Sequence, residues 1–279
     1  MDFLFWYILV SIFILGVIIG SFLNCVIWRS YANESAARGR SYCPKCRHQL
    51  KSSDLVPLFS FLALGGRCRY CKEKISIQYP LVEAATGVFF VAAALVFAPA
   101  IFSGDFDFIK CSQLLSYWLI LSSLMVIFVA DLRWYFIPDG AVISGLAGAV
   151  ILRFLQFNET ASLLGQSVSA AESIFNPLLS AIFAASFFLA LFLVSRGTWM
   201  GFGDVKYAFL MGLTLGFPDI LVGLFLAFFF GAILGLGLVA GKRKKMSSQI
   251  PFGPFLVAGT LAALFFSPAI INWYLPFSY

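Results

Sequence analysis

The feature that most constrains this chain is a succession of apolar runs, each close to the length needed to cross a bilayer. A helix spans the hydrocarbon core with about 20 apolar residues. Eight runs approach that length: 3–27, 81–100, 113–130, 139–157, 174–195, 203–217, 219–240 and 253–275. The sixth is short, and only Gly216, Phe217, Pro218 and Asp219 part it from the seventh. In lipid a helix satisfies its own backbone, so this pattern predicts an all-α polytopic membrane protein of about eight transmembrane helices. Composition agrees, with 61% hydrophobic and 11% charged residues, where soluble domains carry about 25% charge. The first run is too long for the apolar core of a signal peptide and reads as a retained first helix.

A net charge of +6 could suggest nucleic acid, but the placement of the charge excludes it. If the first helix runs outside to inside, the inner segments are 28–80, 131–138, 196–206 and 241–252. They hold 17 of the 19 Lys and Arg residues, all but Lys110 and Arg153. That bias is the positive-inside rule. It places both termini outside, and both Asp131 and Asp204 on the inner face. The segment 28–80 is the only inner one long enough to fold by itself. Three parts follow: a first transmembrane helix (1–27), a small cytoplasmic domain (28–80) and a membrane domain (81–279). The outer segment 158–173 reads as a loop without chemistry, and no internal repeat stands out.

Four of the six cysteines form two CxxC pairs in the inserted domain, Cys43/Cys46 and Cys68/Cys71. A basic, cytoplasmic segment is reducing, which disfavours disulfides and favours metal. Two such pairs suit a closed tetrahedral zinc site of structural type, and a domain this small needs a staple. His48, the only histidine, reads as a surface residue. Cys25 and Cys111 read as unpaired bystanders.

Acids are scarce, so their positions carry information. Asp131 closes the third apolar run, Asp139 opens the fourth after Pro138, Asp204 lies in GFGDVK (201–206), and Glu83 begins the second. An acid at a helix N-terminus is an ordinary cap, and Asp139 fits that description. Asp131, at a helix C-terminus, opposes the dipole. Asp204, in a glycine-rich turn, is poorly explained as a cap. Two carboxylates held close together share a proton, so one can act as general base while the other acts as acid. Gly201 and Gly203 would let an extended backbone approach Asp204 without a Cβ clash. One histidine on a zinc domain cannot serve a membrane serine.

These motifs occur in a familiar order: GSFLNCVIWR (20–29), the CxxC pairs, YPLVE (79–83), IPD (137–139), GFGDVK (201–206) and PFGP (251–254). The chain resembles the bacterial type IV prepilin peptidases, membrane aspartyl proteases of the GXGD class. The resemblance implies cleavage of prepilin and pseudopilin leaders after glycine at the cytoplasmic face of the inner membrane. It also implies N-methylation of the new N-terminus with S-adenosylmethionine, associated with the cytoplasmic domain. The protease pair would fall on Asp131 and Asp204, and Lys206 on the motif lysine, orienting Asp204 or a substrate carboxylate. Glu34, Glu73 and Glu83 are candidates for recognising the basic leader.

Two other classes are possible on these residues. A GXGD protease without methyltransferase activity would usually lack the four cysteines. A scaffold or transporter would place its acids near the bilayer midplane, whereas these cluster at one face.

Overall fold

The computed structural model describes residues 2–35, 39–164, 167–241 and 250–274. Their regular structure is helical, with no strand among the described residues. The chain forms two compact units, Met1–Val126 and Ile127–Tyr279. Seven of the expected runs become helices long and apolar enough to cross a membrane.

In the first unit, α1 (Asp2–Ala32) and α3 (Gln78–Phe97) form an antiparallel pair. Small residues allow their close approach: a Cβ on Gly16 would lie 2.7 Å from Gly87 Cα. At the end of α3 nearest the inserted domain, Asn24 donates to the Tyr79 carbonyl at 3.0 Å, and Gln78 donates to Asn24 Oδ1 at 3.3 Å. The start of α3 is therefore level with Asn24, and the last two turns of α1 run on beyond it. The Trp118 indole, on α4 (Phe108–Trp134), stacks on Phe90 of α3 and donates to its carbonyl at 3.0 Å.

Between α1 and α3 lies the inserted domain, whose described residues include a 3-10 turn (Ser52–Asp54) and a short helix, α2 (Phe59–Ala63). Beneath it, the nearly buried Asp54 carboxylate accepts from Arg69, Tyr70 and the Lys51 N–H. Burial opposes the charge on Asp54, but the Arg69 bond and the other two donors outweigh it and hold the carboxyl below its ordinary range.

The second unit contains α5 (Asp139–Leu164), α6 (Ser167–Ser195), α7 (Phe202–Leu215), α8 (Asp219–Ala240) and α9 (Gly253–Tyr274). The expected sixth span is α7, with 14 residues. At 1.5 Å per residue it is about 21 Å long, short of the roughly 30 Å core. It is also buried on nearly all sides from Val205 onward, so it is an interior helix. α7 lies tight against α6, where a Cβ on Gly212 would come within 2.4 Å of Ala181 Cα. Tyr207 is fully buried and shares a 2.7 Å hydrogen bond with Thr260 of α9.

The expected outer loop is mostly helix, since α5 continues to Leu164 and α6 starts at Ser167. Ser, Ala, Thr and Leu there offer no breaker before Gly165. Residues 165–166, the basic run Lys242–Lys245 within the expected inner segment 241–252, and the tail from 275 lie outside the described residues.

Candidate functional site

Asp131 occupies the last turn of α4 and is buried. Its own helix turns the negative end of a dipole towards it, which alone would be unfavourable. The compensation comes from another helix. Gly253, the first residue of α9, donates its backbone N–H to Asp131 Oδ2 at 2.9 Å. Helix N-termini carry unpaired N–H groups and partial positive charge, so Asp131 is held at the favourable end of α9. The approach is close enough that a Cβ at position 253 would stand 2.6 Å from Asp131 Oδ2.

Asp204 is the third residue of α7 and is also buried. The turn expected around it is in fact the helix start: Gly201 is the N-cap in extended conformation, and the Asp204 N–H donates to the Gly201 carbonyl at 3.2 Å. The first turn of a helix suits an acid. Asp204 and Asp131 lie close enough for the charge of one to act on the other. Two buried acids 73 positions apart in the chain (204 − 131) thus come within electrostatic reach of each other.

The other expected residues have different neighbours. Lys206 pairs with Asp139, the first residue of α5, at 2.6 Å, and its ammonium lies 5.4 Å from the centre of the Phe202 ring. A Cβ on Gly203 would meet Ile137 at 3.1 Å, whereas a Cβ on Gly201 would meet only Gly203 N, at an ordinary 3.8 Å. Glu83 is buried on α3 and accepts the Leu58 N–H at 2.8 Å.

Three residues have a part that sequence reasoning missed. Gly253 is one; its signal was a glycine between Phe252 and Pro254 at the start of an apolar run. Arg153 and Asn176 are the others. Arg153 donates to the Leu213 carbonyl at 3.0 Å and also to the Thr214 carbonyl, both at the C-terminal end of α7. Asn176 accepts the Phe217 N–H at 2.6 Å and donates to the Phe217 carbonyl at 3.0 Å. Arg153, one of two basic residues outside the inner segments, is the sequence clue to this arrangement.

In the inserted domain, the four thiols of Cys43, Cys46, Cys68 and Cys71 lie within 4.8 Å of one another. Cys43 and Cys71 sulfurs are 4.0 Å apart. Tetrahedral zinc with Zn–S bonds of about 2.3 Å fits a cluster of this size. The two knuckles repeat one backbone design. Cys43 N–H donates to His48 and Cys68 N–H to Glu73, while Arg47 N–H returns to Cys43 and Lys72 N–H to Cys68, all at 2.9–3.0 Å. Arg47 and Lys72 are left-handed, at φ 60° and 58°, and isolated antiparallel bridges Tyr42–Gln49 and Arg67–Lys74 close each loop. This short repeat escaped the sequence because only its cysteines match. At Cys68, burial opposes a thiolate, yet the Cys71 and Tyr70 N–H groups and neighbouring thiols bring it down to about 7. The His48 ring packs against that of Tyr70, tilted by 31° with centroids 3.7 Å apart.

Family comparison matches both units. Residues 14–97 match the bacterial peptidase A24 N-terminal domain, and residues 118–236 match the type IV leader peptidase family. The chain belongs to the type IV leader peptidase family. Among similar proteins is a prepilin leader peptidase/N-methyltransferase of Aeromonas hydrophila, 31% identical over 97% of this chain and 94% of that protein. Another, of Bacillus subtilis, is 30% identical over 95% of this chain and 96% of that protein. A third, of Pseudomonas aeruginosa, is 28% identical over 95% and 92%. No solved structure matches. This leader peptidase family member is a multi-pass membrane enzyme; its cysteine cluster lies in the first matched segment, and Asp131 and Asp204 lie in the second.

Proposed function

We propose that this leader peptidase cleaves type IV prepilins and pseudopilins after glycine with Asp131 and Asp204 as its catalytic pair. The reading also has it N-methylate the new N-terminus with S-adenosylmethionine as methyl donor. The observation that carries it is the burial of two carboxylates, near enough to act on each other electrostatically, in a chain otherwise poor in acids. A buried pair of this kind holds one proton between its members. The ionised member takes a proton from water, whose oxygen attacks the scissile carbonyl carbon. The protonated member donates to the carbonyl oxygen, and the C–N bond then breaks as the departing amine takes up a proton. No nucleophilic side chain is required.

Other residues support the pair. Asp139 and Lys206 tie the start of α5 to the first turn of α7. Gly201, exposed at the N-cap of α7, is where this reading has an extended substrate backbone approach Asp204. Glu83 holds the Leu58 backbone, which leaves the exposed Glu34 and Glu73 to meet a basic leader. Zinc held by the four cysteines would stiffen the inserted domain, and the positive-inside bias supports a reading in which that domain and both acids face the cytoplasm.

The test is cleavage of a purified prepilin by wild type, Asp131→Asn and Asp204→Asn, with methylation followed on pre-cleaved substrate. Asparagine keeps the shape and loses the proton. Each variant is expected to lose at least the ~10²–10⁴-fold that a general acid or base contributes, while methylation persists. Near wild-type cleavage by either variant removes that residue from the pair.

A further inference from the structure

The inserted domain carries an apolar surface that its zinc-site role leaves unused. Leu55, Val56, Phe59 and Leu62 are all exposed, Phe59 at 68% and Leu62 at 74%. They belong to the chain between the two knuckles, not to a membrane span. In water, four large side chains crowded into eight residues would be an unusual cost for so small a domain.

Their position along α3 indicates what covers them. Leu58, at the centre of the stretch, donates its N–H to Glu83 Oε2 at 2.8 Å. Glu83 is five residues into α3, about 7.5 Å from the start of that helix. α3 has just 20 residues, all within a candidate span, so its first turn stands at the edge of the hydrocarbon. A helical side chain leans towards the N-terminus, which lets the Glu83 carboxylate reach back to this edge. The chain thus leaves the first knuckle, descends to bilayer depth at 55–62, and climbs back to the second. Ile77, the residue before α3, and Leu81 and Val88 on the span itself are also exposed, so the apolar surface of α3 reaches its first turn, the depth to which Glu83 reaches back. Exposed Lys51, Arg67, Lys72 and Lys74 flank it, a pattern that suits anionic headgroups.

We propose that residues 55–62 form an interfacial anchor, with Leu55, Val56, Phe59 and Leu62 in the lipid at the boundary between headgroups and acyl chains. Glu83 is then the positioning residue that fixes the depth of the anchor. The occupant of this surface is lipid, and the inference stands whether or not the peptidase reading holds.

The experiment replaces Phe59, Leu62 or, as a polar exposed control, Glu73 by p-benzoylphenylalanine in the full-length protein. The protein is reconstituted in phosphatidylethanolamine/phosphatidylglycerol vesicles, irradiated, and analysed by peptide mass spectrometry. Lipid adducts are expected at 59 and 62 and none at 73. Adducts to another polypeptide or to a distant part of the same chain, or no lipid adduct, overturn the anchor. Hydroxyl-radical labelling of the unaltered protein in the same vesicles guards against misfolded variants. Phe59 and Leu62 should be protected, after correction for intrinsic reactivity, as fully as the span residue Phe22. Labelling to the level of Tyr31, which lies beyond the level of the α3 start, overturns it too.

Discussion

At Gly253 a single hydrogen atom in place of a side chain decides where Asp131 can sit. The N–H bond of 2.9 Å and the 2.6 Å that a Cβ would leave are two faces of one close approach. Alanine at 253 cannot be accommodated without pushing the carboxylate or the first turn of α9 aside. A misplacement of about 1 Å at a reacting group can cost ~10²-fold. Gly253→Ala is therefore expected to lower kcat for cleavage by about that factor while KM, which reports substrate contacts, changes little. Gly259→Ala is the comparison. There a Cβ would strike the Gly223 carbonyl at 2.3 Å between α8 and α9, so its effect should be on thermal stability. Steady-state kinetics beside thermal unfolding separates the two, and an unchanged kcat for Gly253→Ala would dismiss the positioning role. The acids themselves were legible in the sequence, because charge at the edge of apolar runs is rare enough to read. Their partner was marked only by a glycine in PFGP, since the backbone N–H that does the holding leaves no mark of its own on residue identity.

The same division holds for the elements. Seven spans follow from run length alone. The sixth run becomes α7, shorter than the other seven and buried on nearly all sides; hydropathy registers burial in lipid and burial in protein alike. What sets α7 apart is its 14-residue length and the donors that meet its end. A helix ending short of the interface must have its last carbonyls satisfied. Arg153 on α5 serves Leu213 and Thr214, and Asn176 on α6 serves Phe217. An arginine inside an apolar run is a functional signal by default; here it fixes the helix that carries Asp204. Removing a buried donor costs ~1–3 kcal/mol, more when the donor is charged. Arg153→Met should lower the unfolding midpoint in detergent and reduce cleavage with it, and Arg153→Lys should recover part of both. A midpoint equal to wild type would mean that water replaces the guanidinium and that α7 does not depend on it.

Across the whole molecule, the cysteine cluster and the two buried acids lie in different compact units, and the proposed reading gives each its own chemistry. Every cysteine of the cluster lies in Met1–Val126, and both acids lie in Ile127–Tyr279. The acid pair draws its support from α5, α7 and α9, each within the second unit. The inserted domain has little core beyond its cysteines and the Asp54 hub, so a metal bound there would supply folding free energy directly. Stripping the metal with a chelator, or replacing Cys43 and Cys68 by serine, should then abolish methyl transfer to a pre-cleaved substrate. Cleavage should persist, because no group of the acid pair is removed. Metal content, methyl transfer and leader cleavage measured on one preparation decide the matter. Loss of methylation alone supports two separable activities. Loss of both would mean that the inserted domain also positions the substrate, and retention of both would leave the cysteine cluster without a part in either reaction.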